Sequence, residues 1–146
     1  MKELVALHKH WCVADSVAQF ITAEVPADGK YELAPEHKAL AQHGSQFMRL
    51  SVWYALLYVV IEGYQELGLE DEAIDFLLQR EDLVDALRRF RNAQFHYQKD
   101  PINEKLLIFL EARDSTTWPR ELNQEFKRYF EEAFPIRELL RDNSHT

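Results

Sequence analysis

Arg88, Arg89 and Arg91 crowd together in the run RRFRN, which ends on Asn92, and His96 follows four residues later. Guanidinium groups can hold a phosphate at two points. Histidine is the side chain best placed to exchange a proton near neutral pH. An asparagine one helical turn before the histidine can orient either the imidazole or the phosphate. Residues of these types suit phosphodiester chemistry, which needs a phosphate clamp and a proton carrier and can proceed without a metal.

A helix must carry these side chains, and the pattern predicts one over residues 81 to 97. At about 100° per residue, Leu83, Ala86, Leu87, Phe90, Ala93 and Tyr97 fall on a core-facing side. Arg88, Arg89, Asn92 and His96 occupy the opposite arc, with Val84, Phe95 and Arg91 on a flank between the two. Apolar residues on that flank imply a second packing surface. A homodimer would supply it, setting two copies of Arg91, Asn92 and His96 around one cleft. Asp100 and Pro101 read as the cap and first position of the next helix. His96 is then expected in the last turn, where free carbonyls favour positive charge. On an ideal helix Arg91 and His96 lie about 140° apart. Either the helix end distorts, the arginine reaches round, or the two halves of a site come from different subunits.

The rest of the chain reads as further helices. Leu4, Leu7, Trp11, Ala14, Ala18 and Ile21 recur at three and four, giving a helix over 2 to 25 that Pro26 stops. Pro35 suits the first turn of a long helix over 36 to 67, closed by Gly68. This helix carries Phe47, Leu50, Tyr54, Leu57, Ile61 and Tyr64 on one stripe and Trp53, Leu56, Val60 and Leu67 on another. So broad an apolar cover predicts a helix central in its bundle or shared with a second chain. Short helices follow near 70 to 79 and 101 to 113. Pro119 then opens a last helix whose apolar face is Leu122, Phe126, Tyr129, Phe130 and Ala133, ended or kinked by Pro135. No period-two alternation occurs, so the expected fold is an all-α single domain, a bundle of five or six helices.

Composition narrows the function. The 17 Lys and Arg against 25 Asp and Glu give a net charge of -8, so any nucleic-acid chemistry must be local rather than driven by a general positive field. Cys12 is the single cysteine, which excludes an intrachain disulfide and fits a reducing, cytoplasmic setting. The N-terminal MKELVALHKHW does not read as a signal peptide. The longest apolar stretch, 52 to 61, is far below the roughly 20 residues of a membrane span. His8 with His10, and His37 with His43, have poor spacing for metal ligation. Gly29, Gly44, Gly63 and Gly68 form no phosphate-cradling loop. No metal or cofactor is expected.

Arg91-Asn92-Ala93-Gln94-Phe95-His96 resembles the signature of HEPN domains (higher eukaryote and prokaryote nucleotide-binding), an arginine and a polar residue, three variable positions and a histidine. These domains are all-α bundles, and catalytic members dimerise to form a metal-independent ribonuclease. The resemblance implies that Arg91 binds and polarises the scissile phosphate, that His96 moves protons at the 2′-hydroxyl and the leaving oxygen, and that Asn92 orients one of them. It implies RNA or a nucleotide as ligand, and a stress, defence or toxin-antitoxin setting with an antitoxin or other regulatory protein as partner. Some HEPN toxins carry a tyrosine two places after the histidine as a modification site. Here Gln98 holds that place and Tyr97 comes one place early.

Each feature has a plainer reading. Arg91 and His96 can be structural, the arginine pairing with an acid from a neighbouring helix. Glu62, inside the apolar long helix, needs a partner, and an arginine of the cationic helix is a candidate. Arg88 and Arg89 can be solvated or can widen an RNA track. Trp53, Tyr54 and Tyr58 can stack on bases, though aromatics at helical spacing more often build a core. The alternative function is a non-catalytic helical module that binds a nucleotide or a partner protein through the same face.

Overall fold

Pro35 occupies the first turn of the longest helix, where its missing N–H removes no intrahelical hydrogen bond. A computed structural model describes residues 1–24 and 34–135. In it six α-helices follow one another: α1 (Lys2–Ala18), α2 (Pro35–Glu66), α3 (Glu72–Leu78), α4 (Glu81–Phe95), α5 (Glu104–Leu110) and α6 (Trp118–Ala133). No strand occurs among the described residues.

The carboxyl-terminal half of α2 is the centre of the bundle. It packs against α1, α4 and α6, while α5 lies on α4 and α3 on α6. Trp53, Tyr54, Leu57, Val60, Ile61 and Tyr64 are buried, as both apolar stripes require. The amino-terminal half differs, with Leu40, Phe47 and Met48 largely exposed. Gly63 lets α1 approach closely, because a Cβ there would sit 2.6 Å from Leu7 Cδ1. Gly68, at φ 61°, takes the left-handed turn that ends α2.

Several helix ends differ from expectation. The first helix stops at Ala18 rather than near 25: the chain continues in turns, and Arg49 of α2 donates to the carbonyls of Phe20 and Ala23 there. Pro26 lies outside the described residues. Asp71 caps α3, its Oδ1 accepting from the N–H groups of Ala73 and Ile74 at 3.1 Å each. The helix expected from Pro101 begins instead at Glu104, with Asn103 as its cap: Asn103 Oδ1 accepts from Lys105 N–H at 2.8 Å. It ends at Leu110, whose carbonyl accepts from the Ser115 hydroxyl at 3.0 Å. In α6, Leu122, Phe126 and Phe130 are buried, but Ala133 is exposed at the terminus.

Aromatic packing fixes α4. Tyr54, Phe90 and Phe109, from α2, α4 and α5, meet edge to face with ring centres 5.1 to 5.8 Å apart. The Tyr54 hydroxyl donates to the Ser115 carbonyl at 3.2 Å, so this polar tip is satisfied inside the core. Leu83, Ala86, Leu87, Phe90 and Ala93 all face inward, as their spacing predicts. Tyr97 does not: it is 91% exposed, because α4 has already ended at Phe95.

Candidate functional site

Phe90 is fully buried against α2 and α5, so the next residue, Arg91, emerges sideways along the α2–α4 seam. There its guanidinium meets Glu62 with both terminal nitrogens, Nη1 to Oε2 at 3.1 Å and Nη2 to Oε1 at 3.4 Å. It also lies over the Tyr58 ring, 4.8 Å from the centroid. Tyr58 and Glu62 are one turn apart on α2, so one turn of that helix supplies both a stacking face and a counter-charge. The expected partner of Glu62 is thus Arg91. The carboxylate, however, sits at the helix margin and is about half exposed rather than enclosed.

A guanidinium has five N–H groups. Two of those on Arg91 go to Glu62, and the Nε–H is buried without a hydrogen-bond partner among the described residues. Two remain on the terminal nitrogens. The Tyr58 hydroxyl feels the whole cluster: burial pushes its pKa up, Glu62 and Asp85 push the same way, and Arg91 and Arg88 oppose them.

Arg88 and Arg89 share one carboxylate. Asp85 pairs with Arg88 at 2.8 Å and Arg89 at 3.1 Å, three and four residues along the same helix. The Arg88 hydrogen bond in particular holds the Asp85 carboxyl below its ordinary range. Within this cluster three guanidiniums face two carboxylates, leaving a local positive surplus on a chain of net charge -8.

His96 is not in the last helical turn. It is the residue after the helix, extended at φ −109° and ψ 141°, and its backbone N–H closes on the Asn92 carbonyl at 3.2 Å. The helix end therefore departs from ideal geometry, and the angular separation of an unbroken helix does not apply to Arg91 and His96. The cause lies downstream. Gln98 Nε2 donates to the His96 carbonyl at 3.3 Å, and Asn103, the cap of α5, donates to Gln98 Oε1 at 2.9 Å. His96 and Phe95 are exposed and Asn92 is half-buried. The Asn92 carboxamide and the His96 imidazole make no hydrogen bond to another described residue.

The structure thus brings together Arg91 with Glu62, and Arg88 and Arg89 through Asp85. Among the described residues it does not join either group to His96 or Asn92 by a side-chain hydrogen bond or ion pair. Sequence reasoning missed Tyr58 as the surface beneath Arg91, Asp85 as the shared acid, and the Gln98–Asn103 tether. The spacing from Asp85 to Arg88 and Arg89 could have found the second. Trp53, Tyr54 and Tyr58 are buried and belong to the core rather than to a base-stacking surface. Among the described residues, no three of His, Cys, Asp and Glu are grouped to hold a metal ion, and no helix is long and apolar enough to cross a membrane. No protein-family model matches this chain, and no curated protein or solved structure matches it either.

Proposed function

We propose that the carboxyl-terminal end of α4 binds RNA and cleaves it without a metal, as a HEPN-like homodimer. The observation that carries this reading is the positive surplus of Arg88, Arg89 and Arg91, with an exposed histidine five residues further on in a tethered, extended segment. Arg91, held by Glu62 and Tyr58, keeps two N–H groups with which to grip a phosphate. A base, His96 of one copy, takes the proton of a 2′-hydroxyl, and that oxygen attacks the adjacent phosphorus. The bond to the 5′-oxygen breaks, and an acid, His96 of the other copy, protonates it. The products are a 2′,3′-cyclic phosphate and a free 5′-hydroxyl, so DNA is not a substrate. Asn92 orients the imidazole or the phosphate. Phe95 and the exposed face of α2 at Phe47 and Met48 supply apolar surface for the second copy, whereas Val84, expected on the same flank, packs against the chain's own core. The proposed setting is a cytoplasmic stress, defence or toxin-antitoxin response with a regulatory protein partner.

A second reading has its own observation in favour. Glu62 engages both terminal nitrogens of Arg91, which is how an arginine that only ties α2 to α4 would be held. The same face then binds a nucleotide or a partner protein without turnover. Purified protein with end-labelled RNAs and matching DNAs in EDTA, beside His96→Ala, separates the two. RNA-only cleavage that disappears in the variant supports the nuclease. RNA retained without cleavage supports the binding module, and neither binding nor cleavage overturns both as RNA functions.

A further inference from the structure

The helices α3 and α6 border two adjoining depressions that share Phe76, Leu77 and Glu121, one of about 740 Å³ and the other of about 510 Å³. None of the residues lining them belongs to the Arg91 cluster or to the His96 segment, so this groove is independent of the proposed nuclease site.

The two walls differ in chemistry. From α3 come the apolar Ala73, Phe76 and Leu77, with Glu72 at the helix start. Ile74 is buried, and Leu77 and Leu78 pack partly on the core, yet the Phe76 ring is 68% exposed. From α6 come Glu121, Gln124, Glu125 and Arg128, whose spacing of three, one and three makes a single stripe. That stripe is acidic in effect. Its one cation, Arg128, is surrounded by the carboxylates of Asp71 at 2.6 Å, Glu125 at 2.7 Å and Glu132 at 3.1 Å. At the other end Arg80 is held by Asp82 and Asp114. Glu72 and Glu121 make no ion pair among the described residues and add uncompensated charge. The lining residues of α6 run from Trp118 to Arg128, about 15 Å of helix rise, or nearly three turns.

We infer that this groove receives a cationic amphipathic helix from a partner protein. Aliphatic side chains at helical spacing pack against Phe76 and Leu77, and lysines or arginines on the adjoining face meet Glu121 and Glu72. The acidic wall disfavours nucleic acid as the occupant through repulsion of its phosphates.

The Trp118 indole forms part of the groove wall and donates to the Leu77 carbonyl at 2.9 Å, so its N–H resonance reports occupancy directly. Trp11, bonded to Asn123, and buried Trp53 are internal controls away from the groove. The experiment titrates the isotope-labelled full chain with a synthetic three-turn peptide bearing leucine on one face and lysine on the other. A peptide with glutamate in place of lysine serves as the control. The expected result is a saturable shift of the Trp118 indole and of the Phe76, Glu121 and Gln124 amides with the lysine peptide alone. Phe76→Ala and Glu121→Lys should each weaken binding about tenfold, with the Trp11 and Trp53 resonances showing that both variants are folded. Shifts scattered over other acidic surfaces, equal binding of both peptides, or no binding would overturn the inference. So would movement of the same resonances with protein concentration alone, which would assign the groove to a second copy of the chain.

Discussion

Arg91 and Arg128 each bridge two helices, α4 to α2 and α6 to α3, yet their surroundings differ in a way that separates anchoring from binding. Arg128 meets three carboxylates, which together outweigh its charge. Arg91 meets one carboxylate and a tyrosine face, beside two more arginines that share a single aspartate. An arginine outnumbered by acids is a fastener and has little left for an anion. An arginine held by a ring and one acid is fixed in place while its neighbourhood stays positive. Of the two arginines, Arg128 is therefore expected to matter more for stability and Arg91 more for anion binding.

The largest effect should come from His96→Ala. RNA cleavage is expected to fall at least about a hundredfold, while the thermal midpoint stays unchanged, because the side chain is exposed and makes no hydrogen bond to another described residue. Activity that survives the substitution would end the catalytic assignment of the histidine.

Next in size is a reciprocal pair. Arg128→Ala leaves Asp71, whose side chain is only 15% exposed, without its charge partner. Urea unfolding should show a loss of about 2 kcal/mol, equivalent to about 6 °C in the midpoint for a chain of this size, with RNA affinity unaltered. Arg91→Ala releases a half-exposed Glu62 and should cost only about 1 kcal/mol, while RNA affinity collapses. Equal stability losses with no difference in RNA binding would erase the distinction between the two seams.

Salt dependence probes the positive end of α4 in a second way. If Arg88 and Arg89 each contact a phosphate, their replacement by alanine should reduce the slope of log affinity against log salt by about 0.7 per residue. An unchanged slope would leave both as solvated partners of Asp85.

The smallest effect is a pH dependence at the α3 cap. Burial pushes the Asp71 carboxyl up, but hydrogen bonds from Arg128 and from the N–H groups of Ile74 and Ala73 outweigh it and hold the pKa below the ordinary 3.8. A carboxyl depressed in the folded state contributes stability above its unfolded pKa and loses it as pH falls through the folded value. Denaturation followed from about pH 5 to pH 2 should therefore show a loss beginning near pH 4 that is shallower in Asp71→Asn. Identical acid profiles would mean that Asp71 does not govern the acid limb.

The all-helical class was legible because apolar residues recur at three and four almost throughout, and α2 and α4 bury nearly the residues their stripes specify. Helix ends were less legible. The turns after α1 are held by Arg49, 26 to 29 residues away in sequence, and where α5 starts depends on an asparagine competing with the more conspicuous Asp-Pro pair. The Glu62–Arg91 partnership could be anticipated from an acid and an arginine on neighbouring helices, although the half-exposed carboxylate does not carry the burial cost expected of it. The stacking of Arg91 on Tyr58 could not, because it needs the register of α4 against α2. His96 was misplaced for the same reason: the Gln98–Asn103 tether that draws the backbone out of the helix is a contact between side chains with no periodic signature.

The 32 residues of α2 have a hydrodynamic consequence. At about 1.5 Å per residue this helix is about 48 Å long, whereas a sphere with the radius of gyration of a compact chain of this size, about 15 Å, is only about 39 Å across. Its poorly covered amino-terminal half makes the particle longer than a sphere of equal mass, so one copy diffuses more slowly than its mass suggests. On a sizing column a monomer would elute early and imitate a larger species. Mass from light scattering or sedimentation equilibrium, rather than elution volume, is the quantity that distinguishes one copy from two.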